Sequence, residues 1–414
     1  SNMALAVGPD IEYVKIKSRD KFFWIASSRV DTYFKEDFEI VDHKKGSDMV
    51  GLAYKPLFEY MPAQESLYKI QSADFVSTDN GAGIVHIAPS FGEDDFTLGK
   101  QLGLPLFDPL DPEGKFTALV PDWEGVGAKD ADKSIIQHLK AQDRVFKHET
   151  FVHSYPHCYR TGVPLLYRAL KTWFLKLDVE ITSAEGVTKT LKEWMVDNNQ
   201  EINWVPAHIK DGRFGKWLDN ARDWNISRNR FWGTPLPVWI AEDGDTICVG
   251  SRGELESLTG AKVHDLHMHI VDAMEVRTSD GKTFDPQGKI YKRTSEVFDC
   301  WFESGSMPYA QNNYPFKNKD FVEANFPADF IAEGLDQTRG WFYTLTVLSA
   351  ALFQKPAFKN VIVNGIILAE DGTKMSKSLR NYPDPNILIE RTGADASRLF
   401  MINSAAVKAD DLKF

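Results

Sequence analysis

The sequence is poor in cysteine, and that scarcity is its first constraint. Its three thiols, Cys158, Cys248 and Cys300, lie far apart and form no Cys-x-x-Cys pair, which excludes a disulfide framework and a thiolate zinc knuckle and fits a reducing compartment. Long apolar runs are missing as well. No stretch approaches the roughly 20 residues that a membrane span requires, so a soluble, cytoplasmic chain with no membrane partner is expected. The first seven residues, Ser-Asn-Met-Ala-Leu-Ala-Val, contain neither a basic n-region nor a long apolar core, which argues against a secretory signal or an Arg-rich transit peptide. Positive charge is in deficit, with a formal net of −11, and this excludes a wholly basic nucleic-acid coat. One local patch survives the deficit: His208 to Trp232 holds six Lys/Arg against three Asp. No internal repeat or low-complexity tract is apparent.

What remains is an ordinary globular composition, 43% hydrophobic and 26% charged over 414 residues, long enough for two or three domains with separate cores. From Ile11 to about Val152 short alternating runs such as Tyr13-Val14-Lys15-Ile16-Lys17 are broken by Gly46, Gly51, Asn80-Gly81 and Glu113-Gly114, which predicts a β-rich, barrel-like domain. Within it the clearer helices are 94–102 and 131–142. After about Pro164 the character becomes α/β, with helical windows at 183–198 and 336–353 around short apolar strands, 330–332 and 361–363. An alternating, Gly- and Asp-punctuated stretch from Trp239 to Lys292 predicts a small β insertion.

The most specific string is Asp371-Gly372-Thr373-Lys374-Met375-Ser376-Lys377-Ser378. Two lysines three apart among hydroxyls suit a polyphosphate whose charge grows at the leaving group; a solvated basic loop is the plainer alternative for any Lys-x-x-Lys. The full Lys-Met-Ser-Lys-Ser, however, matches a signature of the class I aminoacyl-tRNA synthetases. The chain also resembles that family at Asp223 to Pro235, at Asp299 to Gln311 and at Glu333 to Phe342. The last two look like the isoleucyl branch in its eukaryotic-type cytosolic form, rather than the valyl or leucyl one.

That resemblance implies a β-barrel-like editing domain (1–160) inserted into a Rossmann-type catalytic domain of which only the C-terminal half is present. The catalytic part would run over 161–238 and 293–370, interrupted by the β insertion at 239–292, with the lysine loop and the start of a stem-contact region at 371–414. The activity implied is ligation of isoleucine to tRNA(Ile) with ATP and Mg2+. Lys374 and Lys377 would stabilise the transferring phosphates. Glu333, Gly334, Asp336 and Gln337 would contact the aminoacyl-adenylate, although residues alone equally allow a helix cap with an acidic first turn. Trp301 and Trp341 would wall the isoleucine pocket, where the plain alternative is core aromatics.

Flat walls exclude larger side chains but cannot strongly reject a smaller one. A missing methylene is worth only about 1–3 kcal/mol, a magnitude for which isoleucyl enzymes are themselves the standard illustration, so hydrolytic proofreading of valyl-tRNA is required. The resemblance puts the editing carboxylate at Asp95, gripping the substrate ammonium, with His86 as a hydrogen-bonding helper. Glu93, Asp94 and Asp95 also suit a plain helix start, and His86 a structural position on a strand.

His153, His157 and Cys158 fall within six residues, but without a second cluster at ligand spacing no metal site is assigned. No His-x-Gly-His string occurs, and by the resemblance these residues are expected to lack the threonine-rich segment of the family's editing pocket and its anticodon-binding domain. A fragment unable by itself to activate isoleucine is therefore expected. The competing readings are a valyl enzyme, a free-standing misacyl-tRNA deacylase, and a non-catalytic tRNA-binding module using the His208 to Trp232 patch.

Overall fold

The computed structural model describes residues 2–61, 64–150, 152–158, 161–376 and 379–414. The chain divides into two compact units, Ser1–Lys171 and Thr172–Phe414.

In the first unit the strand Glu12–Ser18 shows how alternation becomes packing. Val14 and Ile16 enter a core with Ile25, Val30 and Phe34, while Tyr13 turns the other way onto Val7, Ala26 and Met49. Such a strand is committed on both faces, and a one-residue slip would exchange them. It is the centre of an antiparallel sheet between Lys21–Ala26 and Phe38–Lys45, with a bulge between Lys15 and Ile16. A second three-stranded sheet is centred on Ala4–Val7, parallel to Ile70–Ser72 and antiparallel to Ile84–Ile87. Tyr13 ties the sheets together: its hydroxyl donates to the Gly83 carbonyl at 2.6 Å and accepts the Gly8 N–H at 3.1 Å. The two helices expected here run over Glu93–Leu102 and Ala128–Ala141. The first stops on Gly103, whose φ of +65° is a conformation glycine adopts without cost, and Leu104 N–H returns to the Gly99 carbonyl at 2.8 Å.

The second unit is mixed α/β. A parallel sheet runs in the order Asn203–Val205, Phe358–Asn364, Ala328–Gly334. The crossover between the last two is the helix Trp341–Phe353, in which every residue from Phe342 to Ala350 is buried. A helix apolar all round has to lie inside a fold, and this one packs with Trp204, Phe358, Val361 and Val363 of the sheet. The opposite sheet face exposes Val205, Phe330 and Ile362.

Two helical expectations need correction. The window 183–198 is a hairpin, Glu180–Thr182 with Thr188–Thr190, followed by the helix Leu191–Glu201. Gly186 turns with φ +83°, and the Thr190/Glu193 capping box fixes the true helix start. The window 336–353 is broken at Gly340, with a 3-10 turn at Leu335–Arg339 before the α-helix. The stretch at 239–292 folds around Trp239, Leu255, Leu258 and Tyr291. Its four antiparallel strands are Val238–Ala241, Thr246–Cys248, Val276–Thr278 and Lys289–Arg293.

Candidate functional site

The parallel strand Ala328–Gly334 ends on Glu333 and Gly334, paired with Val363 and Asn364 of its neighbour. Carboxyl ends of parallel strands are where open α/β sheets leave a crevice, because the chain turns away into a helix there. At Gly334 the turn is tight. A Cβ would sit 2.8 Å from Asp336 Oδ1, so any larger residue would displace that carboxylate from its place; with φ at −70° the backbone conformation itself makes no demand for glycine. Gln337 supports the platform from beneath, its Oε1 accepting the Trp341 N–H at 2.9 Å and its Nε2 donating to Asp336 Oδ2 at 3.2 Å. Glu333, Gly334, Asp336 and Gln337 thus gather at one strand end, with both carboxylates of the group exposed.

Trp301 and Trp341 stand on different helices with Gly340 between them. A Cβ on Gly340 would come within 3.6 Å of the Trp301 ring and 2.7 Å of Gln337 Oε1. Trp341 is anchored by its indole N–H, which donates to the Ser304 carbonyl at 2.9 Å. It also walls a cavity of about 180 Å³ with Met307, Phe326, Ile331, Leu345 and Phe358. Trp301 is 38% exposed at the start of the helix Cys300–Ala310.

The helix start reveals a residue that sequence reasoning missed. Asp299 is only 4% exposed, yet its carboxylate accepts from the Arg228 guanidinium at 2.6 Å, the Trp224 indole at 3.2 Å and the Trp301 N–H at 3.2 Å. A buried carboxylate survives only when its lone pairs are met in this way. It fastens Trp301 to the segment from Asp223 to Pro235. Arg213 was likewise missed: its Nε donates to Thr338 Oγ1 at 3.0 Å, bracing the turn that carries Asp336 and Gln337. The sequence signal for Asp299 was its place in a matching segment, and for Arg213 its membership of the basic patch from His208 to Trp232.

Lys374 is exposed on a loop that its neighbours hold in shape. Asp371 Oδ1 accepts from the Thr373 hydroxyl at 2.7 Å and the Thr373 N–H at 2.8 Å, which keeps its carboxyl below the usual range. Asn381 donates to Thr373 Oγ1 and the Lys374 carbonyl and accepts the Ser376 N–H at 2.8 Å. Lys377 lies outside the described residues.

In the first unit His86 projects from the strand Ile84–Ile87, opposite Leu5. Asp95 is the third residue of the following helix and folds back so that its Oδ2 would lie 2.5 Å from a Cβ on Gly92. Burial pushes the Asp95 carboxyl up, against the opposing pull of His86 and the Ala88 N–H. His86 also lines a cavity of about 410 Å³ walled by Phe58, Tyr60, Phe91, Phe116 and Trp123, a size and lining suited to an apolar ligand.

Around residue 155 the His153 and His157 rings lie near backbone carbonyls, Nδ1 to Ser154 O at 3.0 Å and Nδ1 to Tyr155 O at 2.8 Å. Among the described residues no group of three or more His, Cys, Asp or Glu is placed to hold a metal ion, and no helix is long and apolar enough to cross a membrane.

Comparison with known proteins now bears on this geometry. Isoleucine–tRNA ligase of Treponema denticola is 51% identical over 434 aligned residues, covering 100% of this chain and 38% of that protein. Those of Bdellovibrio bacteriovorus and Chlamydia abortus are 50% and 49% identical, again with 100% of this chain and 38% of theirs covered. The chain therefore spans a little over a third of the length of these relatives. The family model for class I tRNA synthetases (I, L, M and V) matches residues 11–413. A strand end bearing carboxylates, an exposed lysine loop and a match over nearly the whole length agree, and the chain belongs to the class I tRNA synthetases.

Proposed function

We propose that the chain is the proofreading and adenylate-holding part of an isoleucine–tRNA ligase. The observation that carries this reading is the gathering of Glu333, Asp336 and Gln337 about Gly334 at the carboxyl end of the strand, where Asp336 Oδ1 lies 2.8 Å from the position a Cβ on Gly334 would take. Carboxylates suit the ammonium of an amino acid and ribose hydroxyls, both donors, and a backbone without a side chain admits a ligand closely. Trp301 and Trp341 would close around the isoleucine side chain, Trp341 held in place by Ser304 and Trp301 by Asp299.

In the first step the isoleucine carboxylate attacks the α-phosphorus of Mg-ATP, forming the adenylate and releasing pyrophosphate. Lys374 and Lys377 would neutralise the charge growing on the departing phosphates, with Asn381 and Asp371 keeping the loop in shape around Lys374. In the second step a terminal ribose hydroxyl of tRNA(Ile) attacks the acyl carbonyl and AMP leaves. Misacylated valine would then be hydrolysed in the first unit. There ionised Asp95 would hold the ammonium of the valyl ester while water attacks the carbonyl, with His86 beside it. On this reading the first unit is the barrel-like editing domain, and the second is the later half of a Rossmann-type catalytic domain with a β insertion at 239–292.

Titration calorimetry with the non-hydrolysable sulfamoyl analogues of isoleucyl-, valyl- and leucyl-adenylate tests the synthetic reading. The isoleucyl analogue should bind best, the valyl one within the roughly 10- to 200-fold that a methylene allows, and Glu333→Ala with Asp336→Ala should abolish binding. Equal affinity for all three would refute it. Deacylation of valyl-tRNA tests the other half: a rate unchanged in Asp95→Ala removes Asp95 from the mechanism.

A further inference from the structure

Shortly before the first unit ends at Lys171, an arginine is drawn inward instead of being left in water. The Arg168 side chain is 16% exposed and that of its partner Asp108 23%. Its Nε donates to Asp108 Oδ2 at 2.9 Å, its Nη1 to the Asp111 carbonyl at 2.6 Å and its Nη2 to the Leu110 carbonyl at 2.7 Å, with Nη2 also 2.7 Å from Asp108 Oδ2. Asp108 closes the turn from its own side, since its Oδ1 accepts the Leu110 N–H at 3.1 Å. A desolvated guanidinium that grips a carboxylate and two carbonyls fixes a loop at several points, which an ammonium on a flexible stem cannot do.

The segment around Arg168 also holds a second piece of chain. The Ala169 N–H donates to the Ser90 carbonyl at 2.8 Å, on the turn between the strand that carries His86 and the helix that carries Asp95. The Leu165 carbonyl accepts from the Tyr155 hydroxyl at 2.7 Å, and Leu166 lies where a Cβ on Gly114 would meet its Cδ1 at 2.9 Å. Both held pieces border one space. Phe107, Pro109 and Leu110 from the loop that Arg168 grips, and His86 and Phe91 from either side of Ser90, line the same cavity of about 410 Å³, together with Leu166. Residues 165–169 therefore set the spacing of two walls of that cavity, while Arg168 itself does not line it.

We propose that Arg168 is a positioning residue for hydrolysis of the misacylated ester: it holds the wall at 107–111 in register with the turn at 88–91, so that the acyl group stands where His86, Asp95 and the attacking water can reach it. This rests on the proofreading reading and adds to it a residue outside the cavity that decides the cavity's shape. Positioning of this kind acts on turnover more than on affinity. A displacement of about 1 Å at a reacting centre costs up to about 100-fold in rate, while most binding contacts persist.

The test is deacylation of valyl-tRNA by the 414-residue chain, with kcat and KM read separately beside the urea unfolding midpoint of each variant. Arg168→Met should lower kcat about 10- to 100-fold, with KM within about threefold of the wild type. It should lower the midpoint as well, since it leaves Asp108 without its cation. Arg168→Lys separates the two effects. A lysine keeps a charge for Asp108 and so recovers most of the midpoint, but it has no fork to span the Leu110 and Asp111 carbonyls and should retain roughly a tenfold deficit in kcat. The inference is overturned, and the proofreading reading left standing, if Arg168→Lys recovers kcat and midpoint together. The same holds if Arg168→Met, assayed where it is fully folded, turns over like the wild type or loses only in KM. A wild-type chain that does not deacylate valyl-tRNA overturns both.

Discussion

Replacing Asp299 is the sharpest way to ask whether the second unit is held together as described. Asp299→Ala removes three accepted hydrogen bonds at once. Loss of the N-cap at Trp301 costs about 1 kcal/mol, and the Trp224 indole N–H, on a residue only 9% exposed, is left unmet at about 1–3 kcal/mol. The Arg228 side chain is 37% exposed, so it regains water and adds far less than the several kcal/mol typical of a fully buried orphaned charge. The expected total is about 2–4 kcal/mol. Asp299→Asn keeps the shape and, through Oδ1, the cap, but turns an amide donor toward the Arg228 and Trp224 donors, so it should recover only the cap's share, about 1 kcal/mol, of the loss in Asp299→Ala. Urea unfolding followed by tryptophan emission is a suitable assay, because nine of the 11 tryptophans belong to the second unit. If Asp299→Ala falls within about 0.5 kcal/mol of the wild type, as a surface substitution does, the reasoning fails.

Gly334→Ala places a methyl 2.8 Å from Asp336 Oδ1 and should lower isoleucyl-adenylate analogue affinity by about tenfold, or 1.4 kcal/mol, with little change in the unfolding midpoint; calorimetry reads both. Phe342 is fully buried, and Phe342→Ala should cost about 3–5 kcal/mol in the same urea assay. Asp95 carries a raised carboxyl pKa, so in the interval between the ordinary and the raised value the folded chain holds a proton that the unfolded chain has released. Its contribution to stability is therefore lost as pH rises through that acid interval. Asp95→Asn should remove this slope, and a midpoint-against-pH profile identical to the wild type would contradict the burial of Asp95.

Much of the fold was legible in local pattern. Helix Glu93–Leu102 followed from an acidic start and a glycine stop, and the strand Phe358–Asn364 from an apolar run. The helical window at 183–198 misled because its apolar spacing outweighed Gly186 and the β-branched Thr188 and Thr190, which favour a hairpin. For the site, the string around Lys374 and the segment from Glu333 to Gln337 were readable because their chemistry lies within a few consecutive residues. Sequence by itself thus determined which groups are available: a lysine loop, a strand end bearing two carboxylates, two tryptophans, and an acidic helix start after His86. Only the tertiary structure decided which of them meet. Arg228 finds Asp299 across 71 residues, Arg213 finds Thr338 across 125, and Trp232 stacks on His267. Such pairings depend on how sheets and helices pack, and packing is set by the summed burial of many side chains rather than by the spacing of any few.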